Sequence, residues 1–215
     1  MITDTFSEIA KKRSHIYGFF AGIFKKELDS EQLKEMIQTR VFNLLIDGGA
    51  DIDLAFFNRP LERVEEDLAC EYAALFIGPG KHIAPYESIY VPDSTGRVGE
   101  YWGECTVDMK NWVEHYGLKI DEKFESIPDH ISIELEFMQK IIEQENLAWN
   151  RNDRETAERC LKVEKEFFKK HIIQWIPEFC EKVIEAAEID FYREMARMTK
   201  DFILEEKQMI CNISD

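Results

Sequence analysis

The chain lacks the pairings that most small catalytic and metal-binding modules are built on. Its five cysteines stand at 70, 105, 160, 180 and 211. No two are spaced as C-x-x-C, which excludes a zinc ribbon and a thioredoxin-type redox pair. The odd number and wide spacing predict reduced, buried thiols and a reducing compartment. None of the histidines His15, His82, His115, His130 and His171 belongs to an H-E-x-x-H pair, and there is no G-x-S-x-G. Gly78-Pro79-Gly80-Lys81 is not a phosphate loop: Leu75 stands where the first glycine is needed and His82 where Ser or Thr must follow the lysine. Positive charge is also scarce. Twenty-seven Lys and Arg face 43 Asp and Glu, a formal charge of −16, which argues against nucleic acid and anionic lipid as partners and permits a basic one.

No apolar run is long enough to cross a bilayer. The stretch Ile16–Phe24 follows Lys11-Lys12-Arg13 as a signal peptide would. It is short, it ends at Lys25-Lys26, and no small-x-small cleavage site follows. Ile9, Ile16, Tyr17, Phe20 and Phe24 recur at helical spacing, so a packed amphipathic helix is expected instead.

What the chain has in abundance is helical periodicity. The pattern predicts an all-α fold: one helical bundle of about eight helices, a single domain over residues 1–215, with one long Pro/Gly-rich loop. Helix one is expected over about 3–27. A capping sequence at Asp29-Ser30-Glu31-Gln32 starts a second helix, which Asp47-Gly48-Gly49 stops. A third begins near Pro60 and carries Leu61, Val64, Leu68, Tyr72, Leu75 and Phe76 on one face. The segment 78–99 holds three of the six prolines and four glycines, and a connection that long is more often functional than idle. Further helices are expected over about 100–116, 129–150, 153–170, 172–188 and 190–209. Asp129 is read as the cap of its helix. Glu164, Lys165, Glu166 and Lys169 are read as a solvated face. His130, one turn before Glu134, is read as a helix-start histidine that hydrogen-bonds locally rather than as half of a metal pair.

Three segments remain: Glu71-Tyr72-Ala73-Ala74-Leu75-Phe76-Ile77-Gly78-Pro79-Gly80, Ala84-Pro85-Tyr86-Glu87-Ser88-Ile89-Tyr90, and Pro128-Asp129-His130-Ile131-Ser132-Ile133-Glu134-Leu135-Glu136-Phe137-Met138. Taken singly they are a core stripe running into a rigid turn, an aromatic loop, and an acidic helix start. In this order they resemble the TorD/DmsD/NarJ family of redox-enzyme maturation chaperones, as does Arg13-Ser14-His15-Ile16-Tyr17-Gly18-Phe19-Phe20. Gly80 departs from members that carry a bulky aromatic there. The resemblance implies an all-helical cytoplasmic protein that is not an enzyme and needs no cofactor or metal. Its partner would be the N-terminal, often twin-arginine, signal of a molybdopterin-containing oxidoreductase precursor, held during cofactor insertion before export. Weak nucleotide binding is associated with the family, although no nucleotide motif stands here.

The resemblance implies peptide-binding residues at Tyr72, Leu75, Phe76, Pro79, Pro85, Tyr86, Glu87, Ser88, Asp129, His130 and Glu134. Apolar side chains would take the apolar run of the signal, and carboxylates the arginines. Two other readings compete: an assembly factor for a membrane-bound nitrate-reductase-type enzyme, and a small metal- or nucleotide-dependent enzyme.

Overall fold

The computed structural model describes residues 2–78, 82–120 and 126–211. Ten α-helices account for most of them: α1 Ile2–Lys25, α2 Ser30–Gln38, α3 Val41–Asp47, α4 Leu54–Phe57, α5 Leu61–Tyr72, α6 Glu104–His115, α7 Ile131–Asn150, α8 Arg154–Phe167, α9 Ile176–Ala186 and α10 Asp190–Cys211. Among the described residues there is no strand, only an isolated bridge between Tyr86 and His130. The all-helical expectation holds, with ten helices rather than about eight. No described helix is long and apolar enough to span a membrane.

The fold divides into two compact units. One comprises Met1–Phe24, Pro85–Ile176 and Ile203–Asp215; the other comprises Lys25–Ala84 and Pro177–Phe202. Neither is a single stretch of chain.

In the second unit the punctuation of the sequence is visible. Asp29 accepts from the Gln32 amide while the Gln32 side chain accepts from the Asp29 amide, a reciprocal cap for α2. Gly49, at φ 93°, ends α3: its amide donates to Ile46 and that of Ala50 to Leu45. The expected single helix from 29 to 46 is interrupted at Arg40, which takes the left-handed conformation at φ 56°. Phe42 stacks on Phe57 at 3.9 Å between ring centres, with Phe191 edge-on to both. α5 runs into a π-helical turn at Ala73–Ile77. This widens the helix where Leu75 and Phe76 sit.

The first unit is built around α7, almost wholly buried from Ile131 to Met138 and turning an exposed face at Lys140, Gln144 and Leu147 farther on. A tight turn with Asn152 at φ 56° leads into α8, which packs along α7. Asp153 caps α8, and a π turn at Phe168–Ile172 extends it. Phe137 and Phe167 pack at 4.2 Å, and Trp112 meets both edge-on.

The same unit encloses a buried ionic cluster. The Arg13 Nε donates to both Glu206 carboxylate oxygens at 2.9 and 3.1 Å. Nη2 donates to Glu164 and Glu206, each at 2.8 Å, and Nη1 to Glu145 at 3.3 Å. Glu145 also accepts from the Trp149 indole, and Glu206 from the Tyr17 hydroxyl. Glu164 is fully buried, which corrects its reading as part of a solvated face. It lies on the stripe Ala157, Cys160, Glu164, Phe167 that α8 turns inward. Burial pushes its carboxyl up to about 8, against the opposing pull of Arg13; Glu145 is raised for the same first cause.

Candidate functional site

Within the first unit, the loop after Pro85 is tied to the start of α7 by backbone and side chain together. The Ile131 amide donates to the Pro85 carbonyl, and the Glu87 amide to the Asp129 carbonyl. Asp129 is fully buried. Its Oδ2 accepts from the Ser88 amide at 3.0 Å and its Oδ1 from the Thr106 hydroxyl at 2.8 Å. Asp129 is therefore not the helix cap. That role falls to His130, whose Nδ1 accepts from the Ser132 amide at 3.1 Å. The local reading of His130 holds, and Asp129 instead joins three segments of chain. Tyr86 packs edge-on against His130 and Tyr101.

Beneath this loop lies a polar centre. The Glu87 Oε2 is 2.8 Å from His171 Nδ1, and the Trp175 indole donates to Glu134 Oε2 at 2.9 Å. Glu87, Glu134 and His171 are all buried. Burial, then the neighbouring Glu87, hold the Glu134 carboxyl well above the ordinary range. The His171 Nε2 lies 3.0 Å from Asp108 Oδ2, which also pairs with Lys170.

Glu87, Asp108 and His171 lie in the wall of a cleft of about 710 Å³. Its lining includes five carboxylates (Glu87, Asp93, Glu100, Glu104, Asp108) against Arg97 and Lys170. Apolar side chains reach into it as well. Trp102 is 69% exposed and Val107 57%. Trp102 sits at φ 63°, a conformation a bulky residue adopts only when its surroundings hold it there. Sequence reasoning missed His171, Asp108, Trp175 and Trp102. His171 was legible as a titratable residue one turn after Phe167 and Phe168; Trp102 gave no signal beyond its place beside a glycine.

In the second unit Tyr72, Leu75 and Phe76 are buried. Phe76 stacks on Phe179 and meets Tyr72 and Tyr192 edge-on. Leu75 lines a cleft of about 650 Å³ with Phe56, Ile83 and Ile189 among its apolar walls and Asp67, Glu71 and Glu188 as its acids. Glu71 accepts from the Glu188 and Ile189 amides at the start of α10. Pro79 and Gly80 lie outside the described residues. The site residues expected from the sequence thus form one interlinked set in the first unit, from Pro85 to Glu134, and a separate aromatic packing in the second.

Residues 28–181 match the family model described as nitrate reductase delta subunit. The chain is 27% identical over 206 residues to the chaperone protein TorD of Vibrio vulnificus, covering 90% of this chain and 92% of that one. It is 28% identical over 193 residues to TorD of Photobacterium profundum, covering 85% and 86%. Among solved structures, a redox enzyme maturation protein of Archaeoglobus fulgidus superposes with a TM-score of 0.54 at 22% identity, covering 89% of this chain and 93% of that one. The chain belongs to the nitrate reductase delta subunit family and is TorD-like, and its curated relatives are chaperones rather than enzymes.

Proposed function

We propose that this protein is a cytoplasmic chaperone for the precursor of a molybdopterin-containing oxidoreductase and that it binds the precursor's N-terminal, twin-arginine signal. The observation that carries the reading is the cleft of the first unit. An exposed, conformationally constrained tryptophan and an exposed valine stand over a lining rich in carboxylates. A signal peptide offers the complement, an arginine pair followed by an apolar run. The acids favour encounter and orientation, and the aromatic anchor supplies affinity. Glu87 contributes directly as a wall residue, while Pro85, Tyr86, Ser88, Asp129, His130 and Glu134 set the shape of the loop that carries it. Leu75 favours a second contact surface, the apolar, acid-lined cleft of the other unit, with Tyr72 and Phe76 packing the helix end that presents it.

The test is a calorimetric titration with a synthetic peptide containing an arginine pair and an apolar run. Trp102→Ala should weaken binding by about 2 kcal/mol, and Leu75→Ala separately reports on the second cleft. Rising salt should weaken binding in part and leave an apolar component. Affinity unchanged by both substitutions would refute the reading. The family description also supports an assembly factor that grips a folded nitrate-reductase-type subunit. In that case the intact subunit would bind and the isolated signal peptide would fail to compete.

A further inference from the structure

The polar centre below the loop is more elaborate than a peptide cleft requires. Three side chains from three segments meet there: Glu87 from the loop, Glu134 from α7 and His171 from the π turn after α8. One ligand-type atom from each lies within 4.8 Å of the others. All three residues are buried, at 2%, 0% and 1% exposure. Ligand atoms around one tetrahedral zinc ion stand about 3.4 Å apart, so the trio would draw in by up to about 1.4 Å to share an ion.

Two further observations separate this centre from a chance grouping of acids. Glu134 is fully buried, and while its Oε2 takes the Trp175 indole proton, its Oε1 has no hydrogen-bond partner. A buried carboxylate oxygen left alone is costly, and a cation would satisfy it. One ligand is also held from behind. Trp175 donates to Glu134, while Asp108 Oδ2 comes within 3.0 Å of the His171 nitrogen remote from Glu87 without making a hydrogen bond. A donor behind a carboxylate is an outer support of the kind that orients metal ligands. An entry route exists as well, because Glu87 and His171 line the open cleft of the first unit.

We infer that Glu87, Glu134 and His171 form a site for one divalent transition-metal ion. Two carboxylate oxygens and an imidazole nitrogen suit the borderline ions, zinc foremost, with a fourth position open toward the cleft. The ion would pin the Pro85–Tyr90 loop to α7 and to the end of α8. The inference does not depend on whether the cleft takes a peptide.

The experiment uses the full chain stripped with chelator and titrated with Zn²⁺, with Co²⁺ as a spectroscopic probe. One equivalent should bind, Zn²⁺ should raise the melting temperature, and bound Co²⁺ should show d–d bands without a thiolate charge-transfer band. Glu134→Gln keeps the shape and an oxygen for Trp175, and it should weaken binding by about 10–100-fold or more and abolish the thermal shift. Glu87→Gln gives the same result if Glu134→Gln fails to fold. Cys105→Ser should change nothing, although Cys105 lines the same cleft. Absence of stoichiometric binding by the unmodified chain would overturn the inference. So would affinity unaffected by both glutamine substitutions, or binding lost with Cys105→Ser.

Discussion

Replacing Arg13 by Met would test the buried ionic cluster most directly. Arg13 is the cation bound to Glu145, Glu164 and Glu206, through five contacts of 3.3 Å or less. Methionine fills similar space but leaves three buried carboxyl groups facing one another. Removing one partner of a buried ion pair costs about 3–5 kcal/mol. The cost depends on pH, and its sign follows from Glu164. The folded-state value of Glu164 is raised from 4.5 to about 8, so over that window the native state holds more protons than the unfolded one. Its contribution is fully present below about pH 4.5 and is lost as pH rises toward 8. At about 1.4 kcal/mol per pH unit, the loss is bounded at about 5 kcal/mol. Without the lowering pull of Arg13, Glu164 and Glu145 climb further, so the variant should lose stability more steeply than the parent between about pH 6 and pH 8. Glu164→Gln, which can still accept from Arg13, should flatten the slope. Urea denaturation followed by far-ultraviolet circular dichroism at the two pH values measures all three proteins. A loss for Arg13→Met below about 1 kcal/mol, or one equal at both pH values, would refute the argument.

Asp129→Asn should cost about 1–3 kcal/mol in urea denaturation, because the amide cannot serve as acceptor to both Ser88 and Thr106. A mere helix cap would tolerate that exchange. Phe76→Ala should cost about 3–5 kcal/mol, since its ring is buried against Tyr72, Phe179 and Tyr192; full stability with weakened peptide binding would instead make it a contact residue. Cys70, Cys105, Cys160 and Cys180 are free thiols, so thermal melts with and without reductant should coincide. Because the chain passes back and forth between its two units, heat should unfold it in one transition, and two resolved calorimetric peaks would show independent domains.

The helices were legible wherever local chemistry agreed with packing. The Asp29–Gln32 reciprocal cap, the glycine stop at Gly49 and the Asp153 cap are short-range devices written in adjacent residues. The break at Arg40 was not legible. A left-handed arginine carries no glycine or proline signal, so tertiary packing must enforce it. Four-residue α4 is too short for a period of 3.6 to declare itself. The buried glutamates failed differently. Glu145 follows Ile141 and Ile142 by a turn, and Glu206 stands between Ile203 and Ile210, so each lies on an apolar stripe. An acid on such a stripe needs a distant cation. Arg13 stands 132 residues from Glu145 along the chain, and no local pattern around either residue says that they meet.

The same limit explains the divided site. The motif residues Tyr86, Glu87, Ser88, Asp129 and His130 fall in two short segments that announce themselves together. In the structure most of them are occupied internally. Asp129 binds the Ser88 amide and Thr106, His130 caps α7, and Glu87 meets His171. A buried network of this kind fixes one loop geometry, since every broken link leaves a costly polar group behind. The cleft mouth is furnished by other residues, above all Trp102 and Val107, which no short motif marks. The loop network and the mouth of the cleft therefore draw largely on different residues. If the cleft takes a peptide, substitutions in the Asp129 network should alter stability and affinity together, whereas Trp102→Ala should alter affinity alone. The ratio of the two effects, measured on the same proteins, separates the residues that build the surface from those that use it.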